Sequence, residues 1–190
     1  MTQANLLAVD WSKIPAPLDD GAAAHLAGRP LPRLPLPSTS GELVELAALN
    51  GRTVVYVYPL TGQPGVPLPD GWDGIPGARG CTPQSCAFRD HHAELLVAGA
   101  DRVFGLSTQE TSYQREAAER LHLPFALLSD SAGTLTRALA MPTFEAAGHV
   151  LLKRMALVFD DGSITQVFYP VFPPDRNAAV VLAWLKANPR

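Results

Sequence analysis

The only two cysteines of this 190-residue chain, Cys81 and Cys86, lie together in the stretch GARGCTPQSCAFRD, residues 77–90. A thiol reacts as its thiolate, and helix N-termini and nearby cations favour that form. Cys81 follows a Gly/Pro-rich run and opens a segment of helical pattern. It is therefore expected in a first helical turn, where unpaired N–H groups and the helix dipole favour negative charge. Pro83 suits that turn, because its missing N–H costs little there. Gly80 lets the backbone enter the helix without a side chain shielding the sulfur. Cys86 follows five residues later in the same helix. At 1.5 Å and 100° per residue the two Cα atoms would stand roughly 8–9 Å apart on different faces. A disulfide needs them within about 7 Å. A bond between the pair requires the first turn or two to unwind, so it would be a switch and not a staple.

Other uses of the two thiols stay open on the residues alone. A permanent structural disulfide is disfavoured by this geometry and by a reducing compartment. A zinc site needs more ligands, and His91 and His92 beside a C-x4-C spacing do not match the usual patterns. Two unrelated buried cysteines are the plainest alternative, since free Cys is often buried. A redox-active pair is the reading the residues favour.

The elements that must position these thiols can be read around them. TVVYVYP, residues 53–59, is a β-branched and aromatic run that predicts a strand buried on both faces. Residues 60–80 show no periodic pattern, and a loop of that length is usually functional or mobile. Cys81 to about Ala98 predicts one helix ending at Gly99, with Phe88 and Leu95 on one face. DRVFGLS then reads as a second buried strand, ETSYQREAAERLH as an amphipathic helix, LPFALLSD as a short strand and TLTRALA as a short helix. RMALVFDDGSITQVFY predicts a hairpin turning at Asp161-Gly162. A last helix spans about Asn177 to Lys186. Residues 1–33 read as an N-terminal extension, with a short helix in DDGAAAHLAG and a Pro-rich lead-in, and residues 34–190 as the folded domain. The order β–α–β–α–β–α–β–β–α predicts an α/β protein with a central mixed sheet and helices on both faces.

Composition narrows the function classes. A hydrophobic content of 47% with 17% charged residues fits a globular domain, long enough to bury about 70% of its unfolded surface. A net charge of −3 without a basic cluster argues against nucleic acid as a partner. No apolar run approaches the roughly 20 residues of a spanning helix, so no membrane partner is expected. The N-terminus has no basic start followed by an apolar core, so a cytoplasmic setting is expected.

At the cysteines the sequence becomes recognisable. GCTPQSCAFRD resembles the peroxiredoxin Q (bacterioferritin comigratory protein) group of thiol peroxidases, whose active-site helix opens G-C-T-x-x-x-C-x-x-R-D. VVYVYP resembles the strand that leads to their active site. FGLSTQETSYQREAAERLHLPFALLSD and KRMALVFDDGSI resemble later family segments, so the likeness spans roughly residues 34–187. It implies a thioredoxin-like fold and reduction of hydrogen peroxide or organic hydroperoxides without a metal or other cofactor. By position, Cys81 would be the peroxidatic thiol and Cys86 the resolving one. Arg154 would stabilise the thiolate and orient the peroxide, and Pro59 would open the P-x-x-x-T-x-x-C signature. Gly80 and Thr82 would flank the substrate. Thioredoxin or a glutaredoxin would re-reduce the disulfide, with the enzyme a monomer or homodimer. Arg89 is expected to pair locally with Asp90. A redox sensor or a thiol–disulfide oxidoreductase on the same fold is the alternative function.

The chain departs from the family pattern twice. Where the family has Thr or Ser three residues before the peroxidatic cysteine, this chain has Ala78. Losing that hydroxyl would slow the reaction by about two to three orders of magnitude unless another donor, Thr61 or Thr82, replaces it. The segment GQPGVPLPDGWDGIP also lies inserted between Pro59 and Cys81. Trp72 and Trp11 could wall a pocket for bulkier hydroperoxides, although packing is the commoner use of a Trp.

Overall fold

The computed structural model describes residues 9–190, so the first residues of the predicted extension, 1–8, lie outside it. The chain first forms a small hairpin of β1 (Pro35–Pro37) and β2 (Leu43–Glu45), then the central strand β3 (Arg52–Val57). Two helices follow, α1 (Cys81–Asp90) and α2 (His92–Val97), and then β4 (Arg102–Ser107), α3 (Thr111–Arg120), β5 (Leu127–Ser129) and α4 (Thr134–Leu139). A second hairpin, β6 (Thr143–Ala146) and β7 (His149–Leu152), precedes β8 (Met155–Asp160), β9 (Ser163–Phe168) and the last helix, α5 (Asn177–Ala187).

Five strands form the central sheet in the order β5-β4-β3-β8-β9. β3 runs parallel to β4 and antiparallel to β8, and β8 and β9 are antiparallel, which gives the predicted mixed sheet. Every residue of β3 is buried, the run Val54–Val57 by its apolar side chains and Arg52 through its ion pair with Asp160 at 2.9 Å. Its alternate side chains feed two cores. Val54 and Tyr56 pack with Phe88 and Leu95 and with Val181 and Leu185 of α5. Val55 and Val57 pack on the other face with Leu135 and Leu139 of α4. Ala23, Leu26 and Leu31, from the chain before β1, are buried in that second core. The β8–β9 turn falls at Asp161-Gly162, both in positive φ (48° and 77°), the geometry that joins two strands through two residues.

Two expectations need correction. The helix predicted from Cys81 to Ala98 is two helices, broken at His91, whose backbone (φ −94°, ψ 2°) leaves the helical range. The His91 ring nitrogen Nδ1 lies 3.0 Å from the Ala87 carbonyl there, closing α1. The short helix expected in DDGAAAHLAG is only a 3₁₀ turn, Ala24–Leu26. The stretch 60–80, patternless in sequence, is exposed at 64–67 but anchored at Trp72. Its 3₁₀ turn Trp72–Gly74 buries Trp72 beside Ala78 and Leu151, with Leu68, Ile75 and Phe144 partly buried around them. This satellite core seats the segment on the β6–β7 hairpin.

Candidate active site

β3 delivers the chain to the site: Tyr58 N–H still bonds to Leu106 O at 3.0 Å, and the buried Pro59 then turns it away from the sheet. The next residue, Leu60, points its backbone N–H at Cys81 Sγ, 3.4 Å away. Cys81 is the first residue of α1 and only 3% exposed. Gly80 caps the helix at φ +106°, a conformation that side chains rarely adopt. A Cβ there would also come within 2.6 Å of Trp11 Cη2 and 2.7 Å of Pro174 Cγ, so the position is closed sterically as well.

Arg154 lies between β7 and β8 and is 2% exposed. Its Nη2 donates to Cys81 Sγ at 3.1 Å, to Ala78 O at 3.0 Å and to Arg79 O at 3.2 Å, and Nε donates to Gly77 O at 3.3 Å. Nη1 donates to Gln84 Oε1, and Gln84 in turn donates from Nε2 to Asn177 Oδ1 at 2.9 Å, which fixes the amide orientation. Among the described residues no carboxylate forms a salt bridge with Arg154; its partners are neutral oxygens and the sulfur. A buried cation is costly without a counter-charge. The atom at this guanidinium that can take up negative charge is Cys81 Sγ.

Cys86 sits one and a half turns on, half-buried, and both cysteines are free thiols. Burial pushes the Cys86 thiol up from the ordinary range, partly opposed by the charge of Arg89. Arg89 itself is taken up by Asp90 at 2.8 Å and by Leu121 O at 2.9 Å, the local pairing its sequence position suggests.

The hydroxyl question has a structural answer of its own kind. The side chain of Ala78 belongs to the satellite core with Trp72 and Leu151, whereas its carbonyl faces the site, 3.6 Å from Cys81 Sγ. Thr61 is buried, and both its N–H and its Oγ1 donate to Gln109 Oε1, at 2.9 and 3.0 Å. Its hydroxyl therefore fastens the start of the loop to the segment after β4. Thr82 is brought to the thiol: with Leu60, Trp72, Arg79 and Gly80 it lines the narrow cleft that reaches Cys81. Trp72 does wall that cleft, while Trp11 packs on the outer side of Gly80. Sequence reasoning missed the Leu60 N–H, since a backbone donor leaves no trace in residue type, and it missed the Gln84–Asn177 bridge.

The redoxin family profile matches residues 26–182. The chain is 33% identical over 167 residues to peroxiredoxin Bcp of Escherichia coli K12, an alignment covering 85% of this chain and 96% of that protein. It is 30% identical over 162 residues to the chloroplastic peroxiredoxin Q of Oryza sativa subsp. japonica, covering 84% of this chain but 66% of the rice protein. Just under two thirds of that longer relative is thus spanned. Among solved structures, peroxidoxin BcpB of Mycobacterium tuberculosis superposes with a TM-score of 0.69 at 27% identity, covering 86% of this chain and 98% of that one.

Proposed function

The chain belongs to the redoxin family, in its peroxiredoxin Q/Bcp-like group of thiol peroxidases with a thioredoxin-like fold, and from that premise we propose that it reduces hydroperoxides through Cys81. The observation that carries the assignment is the buried Arg154 guanidinium, without a carboxylate partner among the described residues, 3.1 Å from Cys81 Sγ. The Cys81 thiolate attacks the nearer peroxide oxygen, an S–O bond forms and the O–O bond breaks. The two electrons come from sulfur, and the departing alkoxide or hydroxide takes a proton to leave as alcohol or water. Arg154 and the Leu60 N–H are donors fixed before the reaction, so they stabilise the charge moving from sulfur to the departing oxygen without reorganising. Thr82 and Gly80 line the cleft where the peroxide would sit, and Pro59 directs the chain to its lining residue Leu60.

Cys81 is left as a sulfenic acid. Cys86 then attacks its sulfur, an S–S bond forms and water leaves, which spares Cys81 further oxidation to sulfinic acid. With both thiols in α1, this step needs the helix start to open. A dithiol protein of the thioredoxin or glutaredoxin kind would return the disulfide to two thiols by exchange. The whole cycle needs one chain, so a monomer suffices and a homodimer is compatible. A reducing cytoplasm is the setting we propose; among the described residues no helix is long and apolar enough to cross a membrane. On this reading the folded unit begins before residue 34, since Ala23, Leu26 and Leu31 lie in the core and Leu31 N–H donates to Gly162 O at 2.8 Å, and the 60–80 segment is an insertion that walls the cleft.

The test is direct. Reduced protein mixed with one equivalent of peroxide should form the Cys81–Cys86 disulfide, followed by mass spectrometry and stopped-flow fluorescence. The Cys86→Ser variant should hold a sulfenic acid on Cys81. A reaction no faster than that of a free thiol would favour a redox sensor instead, and sulfenic acid on Cys86 in Cys81→Ser would reverse the two roles.

A further inference from the structure

Opening of α1 is resisted from outside the catalytic group. We infer that Trp11 is a positioning residue: it pins the start of α1 in the state that attacks peroxide and must withdraw before Cys86 can reach Cys81. The inference rests on the peroxidase reading above.

Trp11 begins a 3₁₀ turn, Trp11–Lys13, whose first residues are tied by Asp10 to Ser12 N and Oγ at 3.2 and 2.7 Å. Its indole Nε1 donates to Asp175 Oδ2 at 3.0 Å, and its ring meets Phe172 edge-on at 6.0 Å. The far edge of the same ring and the Pro174 ring together fill the space a Gly80 side chain would need, so the helix cap is slotted against an indole and a proline. The rest of the segment continues along the site. Pro17 lies 3.5 Å from where a Gly77 Cβ would stand. Asp20 bonds to Lys153 Nζ at 2.6 Å and to Tyr169 OH at 2.8 Å, next to Arg154 in sequence. Residues 11–20 thus lie against the backbone that leads into the thiol, at Gly77 and Gly80, and hold the side chain of Lys153 beside Arg154.

Among the described residues, the backbone hydrogen bonds of this segment close on the segment itself, and side chains alone hold it to the body. Such a strap belongs to the low-stability end of a fold and opens locally without global unfolding. While it is in place the first turn of α1 cannot leave its slot. A sulfenic acid on Cys81 then meets either of two fates. A second hydroperoxide can be attacked by the same sulfur, forming another S–O bond as its O–O bond breaks and an alcohol leaves, which yields sulfinic acid. Alternatively the strap lifts, the turn unwinds, and Cys86 closes the disulfide with loss of water. Trp11 sets the partition between these two.

The test uses the full chain with Trp11→Ala, Trp11→Phe and Asp20→Asn. Hydrogen exchange on the reduced protein reads the strap without any peroxide; first-turn amides of α1 should exchange about tenfold faster in Trp11→Ala. Peroxide titration then reads the partition, and the peroxide concentration that converts half of Cys81 to sulfinic acid should rise by a similar factor. Trp11→Phe keeps a ring on Gly80 but loses the Asp175 bond, and Asp20→Asn weakens the far anchor; both should fall between the extremes. Unchanged exchange in all three variants overturns the strap. Faster exchange with an unchanged sulfinic fraction overturns its control of the partition. A wild-type protein that never forms the Cys81–Cys86 disulfide overturns the peroxidase cycle, and with it that control, whatever the exchange shows.

Discussion

The first and second turns of α1 each carry a thiol, and their surroundings are built from different parts of the chain. Around Cys81 the donors arrive from far away in sequence: Leu60 N–H from the loop after β3 and Arg154 from the link between β7 and β8. Around Cys86 the charged neighbours are largely those of its own helix, Arg89 and Asp90, and burial dominates over both. Long-range donors can be held rigidly by the sheet and aimed at a developing charge. Local neighbours cannot be, and they pair with each other. On the proposed cycle the first sulfur acts in the folded state, and the second waits as a thiol until the helix opens.

The contrast can be broken most severely at the sulfurs themselves. Cys81→Ser should abolish peroxide consumption, while Cys86→Ser should still consume one equivalent rapidly and then stall with dithiol reductants, measured by peroxide loss per protein. Equal losses in both variants would erase the distinction. Next comes Arg154→Met, expected to slow the attack by about 10²–10³-fold, the range for losing a fixed transition-state donor. Stopped-flow rates should show this while the Cys86 alkylation rate stays within about twofold; a fall in both would mean that the arginine serves the helix as a whole. Ala78→Ser follows. Restoring a hydroxyl there should not accelerate the reaction, because the side chain enters an apolar cluster, and thermal or denaturant unfolding should show a loss of about 1–3 kcal/mol. A faster variant would show that the hydroxyl can turn to the thiol after all. The smallest effect is on pH. Burial favours the neutral Cys86 thiol, so in Cys81→Ser its alkylation should rise with pH to a midpoint above that of free cysteine, about 8.5. A midpoint at or below that value would place Cys86 in a solvent-like setting.

How much of this could be read from sequence follows the same division. β3 was legible as a continuous β-branched run, and the β8–β9 turn as Asp-Gly between two apolar stretches. Cys81 at a helix start followed from Gly80 and Pro83. The proposed role of Arg154 came only from resemblance, since nothing in its neighbourhood separates a buried arginine from an exposed one. The hairpin β6–β7 went unseen because Ala147, not a glycine or asparagine, takes one of the two positive φ values in its turn (50°, with Gly148 at 75°). β1 was hidden by Pro35 and Pro37, whose side chains are exposed on a two-stranded hairpin that tolerates them. The break at His91 and the Gln84–Asn177 bridge depend on partners that no local pattern announces.

The slot at Gly80 also constrains how this chain can drift. Any substitution there adds a carbon that collides with an indole, a proline ring and its own backbone preference at once. Replacing Trp11 first removes one of those obstacles; replacing Gly80 first meets all of them. Two positions nearly seventy residues apart are thus coupled in the order in which they can change, and a smaller residue at position 11 is the step that must come before any relaxation at position 80.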